Sequence, residues 1–190
     1  MDIDDPKSVL FRYLDVAHDA MVWKLDGLSE YDVRRPLTPT GTNLLGLVKH
    51  LALVELGYFT MVFDRPMGVD VPDDAMTGHA DMYATADESR QDILALFGHA
   101  RAQAAATIND LDLDHRGHVP WWGEEVTLQW IIIHMTAEIH RHLGHADILR
   151  ETIDGSAGYR ADITNLPPDD EADWSAHYAT LESIAAAFRP

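Results

Sequence analysis

The residues best suited to chemistry lie close together in the last third of the sequence. On a helical wheel with about 100° per residue, Glu138, His142 and His145 all fall within about 80° of His134. Four ionisable side chains therefore share one stripe of a predicted helix, and this stripe borders the helix's apolar side. His140 lies at about 240° on the same wheel and is predicted to face solvent.

A divalent metal is the ligand that these residue types fit best. Glu138 and His142 are spaced i, i+4, so both side chains can reach one ion from a single helix face. His50 borders the apolar stripe of an earlier helix and is the candidate for a third ligand. Two imidazoles and one carboxylate favour Zn²⁺, with Ni²⁺, Fe²⁺ or Mn²⁺ as alternatives, and leave one coordination position open.

The same residues also have a purely structural interpretation. A Glu–His pair at this spacing is often a surface ion pair, and a histidine at a helix seam is usually a hydrogen-bonded core residue. A stripe of four ionisable side chains is harder to explain as a solvated helix face alone. His134 and His145 extend it beyond the Glu–His pair. These two flanking histidines are candidates for catalytic proton transfer, because imidazole titrates near working pH.

The elements that must position these residues are helices. Apolar periodicity predicts five of them, separated by loops that carry most of the prolines and glycines. The predicted helices cover residues 7–28, 43–63, 87–110, 127–153 and 170–188, with Thr42 as the N-cap of the second. No segment shows convincing strand alternation. We therefore expect an all-α fold, a four-helix bundle with crossover loops and an appended C-terminal helix, as a single metal-binding domain over residues 1–190.

Three further segments have functional and structural interpretations that the sequence leaves open. The irregular residues 64–85 form a long loop, and such loops are often functional. Together with Trp121 and Trp122, this loop could wall a substrate pocket, although core packing explains the tryptophans equally well. The apolar row of the last predicted helix, from Trp174 to Phe188, is compatible with a homodimer interface or with packing on its own bundle.

Composition narrows the function classes. The chain has no cysteine, so disulfides, thiolate metal sites and a cysteine nucleophile are excluded. A formal net charge of −18 repels phosphate backbones and anionic lipid heads, which argues against a nucleic acid or membrane partner. The acidic N-terminus does not fit a signal peptide, and the apolar run 130–133 is far shorter than the roughly 20 residues of a membrane span. We expect a cytoplasmic protein.

Two separated motifs resemble the DinB-like superfamily, in particular the branch with the N-terminal domain of mycothiol-dependent maleylpyruvate isomerase. One motif is residues 44–51 followed by Glu55, and the other is residues 134–147. The resemblance spans roughly residues 7–155. It implies a four-helix bundle in which one histidine of the second helix and two residues of a later helix hold a metal, here His50, Glu138 and His142. Many members carry Gln where this chain has His145.

The resemblance also implies a type of activity. Its better understood members are metal-dependent transferases or isomerases that use a low-molecular-weight thiol such as mycothiol or bacillithiol. We therefore expect a thiol-dependent transferase or isomerase that acts on a small electrophile. We expect no counterpart of the isomerases' C-terminal domain within these 190 residues, and the resemblance therefore implies the isomerase reaction less directly than the metal site. Two alternative functions would use the same metal site. The protein would then be a hydrolase of a small molecule or a non-catalytic metal-binding stress-response protein.

Overall fold

The computed structural model describes residues 3–168 and 172–189, and helices dominate it. The elements in chain order are α1 (Pro6–Trp23), α2 (Glu30–Arg34), α3 (Leu44–Phe59), α4 (Arg90–Asp110), β1 (Arg116–Val119), β2 (Glu124–Thr127), α5 (Leu128–Asp154) and α6 (Trp174–Ala186). Short 3₁₀ turns cover Met61–Phe63 and Thr77–Met82. The expectation of an all-α fold is confirmed.

Capping residues set where the long helices begin and end. Asp5 accepts backbone N–H groups at the start of α1, and the proline that follows it fits the first turn. Asn43, one residue after the predicted Thr42, caps α3 by accepting the N–H of Gly46 at 2.8 Å. Helix α5 begins after Thr127 and ends at Gly155, whose φ of 78° is the left-handed conformation that glycine adopts most readily.

Helices α1, α3, α4 and α5 form the predicted bundle. Helix α1 packs against α4 and α5, and α3 packs against the same two helices from the other side. Helix α3 is buried along almost its whole length. Among the described residues, Leu44–Phe63 alone is long and apolar enough to span a membrane, yet 83% of that window is buried in the bundle. This segment is therefore a core helix of the bundle.

One buried polar pair links the first helix to the core helix. His18 of α1 and Glu55 of α3 are each about 1% exposed. Nε2 of His18 lies 2.8 Å from both carboxylate oxygens of Glu55, and its ring packs edge-on against Phe97. A pair with such geometry restrains how α1 can slide or rotate on α3, because any shift leaves two buried polar groups unpaired.

Two of the predicted loops contain regular structure. Residues 29–39 include the short helix α2, which Ser29 caps, and residues 112–126 include the antiparallel hairpin of β1 and β2. Both predictions of irregular structure are wrong here. Strands of four residues are too short to show clear alternation, although Pro120 and Gly123 at the turn are typical hairpin signals. The hairpin packs on the short 3₁₀ turn that follows α3, since a Cβ at Gly117 would lie 2.6 Å from the carbonyl oxygen of Val62.

Helix α6 stands apart from the bundle core. Its predicted start at Asp170 lies outside the described residues, and the helix observed begins at Trp174 with Asp173 as its N-cap. Every residue of α6 is exposed, so the alternative of packing on its own bundle is not observed. A dimer interface on its apolar row stays a prediction.

Candidate metal centre

The fold brings His50, Glu138 and His142 to one point between α3 and α5. One ligand atom of each side chain lies within 4.8 Å of the other two. The Oε1 atom of Glu138 is 3.5 Å from Nε2 of His50 and 3.0 Å from Nε2 of His142. The three side chains are partly buried, which leaves one side accessible. This arrangement is a possible metal site, and the assignment of the three residues as ligands stays a prediction.

A carboxylate that sequence reasoning missed orients one of the imidazoles. Nδ1 of His50 donates a hydrogen bond of 2.6 Å to Oδ2 of Asp81, whose side chain is only 9% exposed. This contact places the ring proton on Nδ1 and leaves Nε2 with a free lone pair facing Glu138. A carboxylate behind a ligating histidine is a common feature of protein metal sites, where it fixes the tautomer and raises the basicity of the ligand.

Close packing of the 64–85 loop on α3 places Asp81 beside His50. A Cβ at Gly46 would lie 1.9 Å from the carbonyl oxygen of Met82, so only glycine permits this approach. The side chain of Asn43 donates to the same carbonyl at 3.2 Å. Lys49 donates to the carbonyl of Tyr83 at 3.2 Å and forms an ion pair with Glu88. The loop end is therefore fastened to the helix that carries His50.

The second imidazole is held differently. Nε2 of His142 donates to Glu138, whereas its Nδ1 is buried with no hydrogen-bond partner in the described part of the chain. Its ring lies edge-on to that of His50, with centroids 4.9 Å apart. For Nε2 of His142 to hold a metal, the ring proton would have to lie on Nδ1. His142 therefore lacks the carboxylate support that Asp81 gives His50.

The electrostatics of the cluster favour the protonation states that metal binding needs. Burial tends to raise the pKa of Glu138, but the nearby His142 and His50 outweigh it and leave this pKa below its ordinary value. Burial lowers the pKa of His142, and His50 lowers it further, against the opposing effect of Glu138. Near neutral pH the site therefore combines a carboxylate anion with a neutral imidazole, as divalent cations require.

Aromatic rings surround the first histidine of the predicted stripe. The ring of His134 stacks on Trp130 at a centroid distance of 4.9 Å and meets Tyr58 and Trp122 edge-on at 4.9 and 5.2 Å. Burial lowers the pKa of His134, although Glu138 opposes the shift. A neutral imidazole held rigidly one turn from the cluster can accept a proton. Its catalytic role stays a prediction.

A cavity of about 570 Å³ opens beside the cluster. Glu138 and His134 line its polar end, and residues of α3, of the 64–85 loop and of the hairpin turn form its wall. Trp121 is part of that wall and its Nε1 lies 3.4 Å from the hydroxyl of Tyr58, so the pocket interpretation of this tryptophan agrees with the geometry. Trp122 instead packs edge-on against both His134 and Trp130.

The remaining histidines of α5 lie farther from the cavity. His145 is exposed, and its ring meets that of His142 edge-on at 5.4 Å. It therefore borders the cluster on the solvent side, and its proposed catalytic role is not tested by this placement. His140 faces away from the cluster as predicted, but it is partly buried rather than free in solvent. It lines a groove with residues of α1, and its Nδ1 donates to the carbonyl of Thr136 at 2.8 Å.

A bundle that turns two histidines and one glutamate of facing helices towards a common point has the architecture of a metal-binding four-helix protein. Comparison with known protein families identifies the family to which this architecture belongs. The family profile for mycothiol-S-transferase matches residues 9–155, and the chain belongs to that family. The DinB-like resemblance expected from the two motifs is thereby confirmed.

The structural comparison supports the same fold. A crystal structure of a conserved protein from Enterococcus faecalis superposes with a TM-score of 0.58 at 16% sequence identity. The alignment covers 80% of this chain and 99% of the other. At a sequence identity this low, the similarity shows only that the two proteins share a fold. Among curated proteins, no significant sequence match was found.

Proposed function

We propose that this protein is a divalent-metal-dependent S-transferase that joins a low-molecular-weight thiol, mycothiol in the first place, to a small electrophile. The observation that carries the proposal is the convergence of His50, Glu138 and His142 beside a cavity, in a chain of the mycothiol-S-transferase family. A small-molecule substrate follows from the family, whereas the particular reaction, the metal and the electrophile belong to the proposal.

The donor set fits a divalent ion. Two imidazoles and one carboxylate are the ligands of many catalytic zinc sites, and three protein ligands leave a position open for a small molecule. His50, supported by Asp81, would hold the ion together with Glu138 and His142. When bound, the metal supplies Lewis acidity that lowers the pKa of a thiol at the open position.

The protein's own groups then complete the transfer. The thiol sulfur uses an electron pair to form a bond with the electrophilic carbon, and the leaving group departs with the electrons of the bond that breaks. The thiol proton must leave the sulfur, and His134 is the group that we assign to accept it. Its aromatic surroundings hold the ring in place and favour its neutral form.

The test is a transfer assay on protein purified without a nickel column. Aliquots loaded with Zn²⁺, Ni²⁺, Fe²⁺ or Mn²⁺ are incubated with mycothiol and an uncharged electrophile, and the conjugate is measured by mass spectrometry. We expect conjugation that needs both metal and thiol. Parallel reactions contain bacillithiol in place of mycothiol, or no thiol.

Two results would contradict the proposal. One is a failure to bind any of the four metals with better than millimolar affinity. The other is consumption of the electrophile to its hydrolysis product at the same rate without thiol, which would identify a bound water as the nucleophile and the protein as a hydrolase.

A further inference from the structure

The wall of the cavity next to Glu138 is almost entirely apolar, although the cavity opens to solvent. Its aliphatic and aromatic members include Leu53, Met61, Met67, Val71, Met76 and Trp121. Met61, Met76 and Trp121 are 45%, 52% and 48% exposed. Apolar groups held at the rim of a concave site gain free energy when a ligand removes them from water. We call this cavity the apolar chamber.

The size and flexibility of the apolar chamber suit a small organic molecule. Its volume of about 570 Å³ lies within the range of typical ligand pockets. Methionine side chains are unbranched and polarisable, so a wall that contains three of them can adapt to rings of different shape. Trp121 adds a flat aromatic surface on which a planar ring can stack.

The charges around the chamber exclude anions. Among the described residues, no lysine or arginine lines it, and Glu138 contributes a negative charge at its polar end. A metal ion at the cluster would not reverse this, since the carboxylate of Glu138 and the sulfur of a bound thiolate together balance its two positive charges. A carboxylate ligand would therefore lose its hydration without gaining a partner.

The wall also fails to match the thiol partner. Mycothiol is a sugar-based thiol with many hydroxyl groups, and a wall of aliphatic and aromatic side chains offers few hydrogen-bond partners to them. We propose that the apolar chamber binds the electrophilic co-substrate and that this co-substrate is an uncharged, hydrophobic compound of one or two rings. The inference rests on the proposed transferase function, because it names the substrate class for the same site.

A matched pair of unreactive ligands tests the inference without any turnover. 1-Naphthamide and 1-naphthoate share one ring system and differ in that only the second is an anion near neutral pH. Isothermal titration with metal-free protein should give a Kd below about 1 mM for the amide. The naphthoate should bind at least about tenfold more weakly, and amide binding should show a negative heat-capacity change.

Variants locate the binding in the chamber. Met76→Glu introduces a carboxylate at an exposed wall position and should weaken naphthamide binding at least about tenfold, and Met61→Gln should weaken it less. Ile148→Glu is the control, since Ile148 is 63% exposed on α5 and does not line the chamber. Thermal melting verifies that all three variants fold.

The outcomes separate this inference from the transferase proposal. Equal or tighter binding of naphthoate, no binding of either compound, or binding that Met76→Glu leaves unchanged overturns the chamber inference, whether or not the protein transfers a thiol. Selective naphthamide binding that Met76→Glu removes, in a protein that forms no conjugate with mycothiol, overturns the transferase function and leaves the chamber as a binding site for apolar compounds.

Discussion

Asp81 and His50 are joined by a hydrogen bond of 2.6 Å, although Asp81 lies in a loop and His50 on the core helix. The contact fixes the His50 tautomer whose Nε2 faces Glu138. A ligand that is oriented before the ion arrives loses less rotational freedom on binding. Much of the metal affinity should therefore depend on a residue that does not touch the metal.

Replacing Asp81 with Asn tests this dependence. The variant keeps the size of the side chain but removes its charge, and we expect metal affinity to fall about 10- to 100-fold. The measurement is a competition titration with a chelator of known affinity. Asp74→Asn in the same loop, at an exposed position, is the matched control and should bind metal as the wild type does. Equal affinities in the two variants would contradict the role of Asp81.

His142 and His140 lie on the same helix, and replacing each in turn distinguishes a metal ligand from a histidine that does not bind the metal. His142→Ala should abolish stoichiometric metal binding while the helical circular dichroism signal stays near wild type, because the bundle core is untouched. His140→Ala removes an imidazole that donates to Thr136 on another side of α5 and should retain about one metal per chain. Metal content by atomic emission measures both. The reverse pattern would show that the helix face has been wrongly assigned.

Metal affinity should depend on pH in a direction that the structure specifies. The ligating imidazoles must be neutral, and burial together with His50 lowers the pKa of His142 below its ordinary value of 6.5. His142 is therefore mostly neutral at pH 7, and protons compete with the metal for this residue at a lower pH than for an ordinary histidine. Affinity should be level between about pH 8 and 7 and then decline as the pH falls. Titrations that remain level down to pH 5 would exclude histidine ligation.

Gly46 should be intolerant of even one added methyl group. In Gly46→Ala the new Cβ would lie 1.9 Å from the carbonyl of Met82, so the loop must shift. We expect a loss of about 1–3 kcal/mol in the free energy of unfolding and a weaker metal site, since Asp81 moves with the loop. Gly144→Ala is the control on α5, where the added Cβ meets nothing within 4 Å. In urea unfolding it should raise stability by about 0.5–1 kcal/mol.

The two flanking histidines should affect turnover more than metal content. His134→Gln should lower kcat because it removes the proton acceptor beside the chamber, and zinc content should stay near wild type. His145→Gln replaces an exposed side chain with the residue that many DinB-like proteins carry, so its metal content should also be unchanged. The two measurements are made on the same zinc-loaded preparations. Loss of zinc in His134→Gln would make this residue a ligand or a support of one.

The helical part of the site was predictable from sequence because helix geometry is periodic. The spacing of Glu138 and His142 alone places them on one face, and the apolar stripe of α3 places His50 at its seam. The bundle follows from the same periodicity, since four amphipathic helices can bury their apolar faces only against one another. These inferences use local spacing and require no knowledge of long-range contacts.

Asp81 and the hairpin could not be predicted in that way. Asp81 is 31 residues from His50 in a segment without periodicity, and its position depends on the contact of Gly46 with Met82. The hairpin strands have four residues each, which is too few for an alternating pattern to stand out. For the position of Asp81, the glycine within the apolar start of α3 was an available signal, because a glycine inside a helix often marks a close approach of another backbone.

The loop that carries Asp81 also carries Met67, Val71 and Met76 of the apolar chamber. A compound that rearranges these three side chains acts on the same segment that holds His50 in its binding tautomer. Thermodynamic linkage then relates the two binding affinities, whatever the rates of the binding steps. The factor by which a bound metal changes the affinity for an apolar compound must equal the factor by which that compound changes the affinity for the metal.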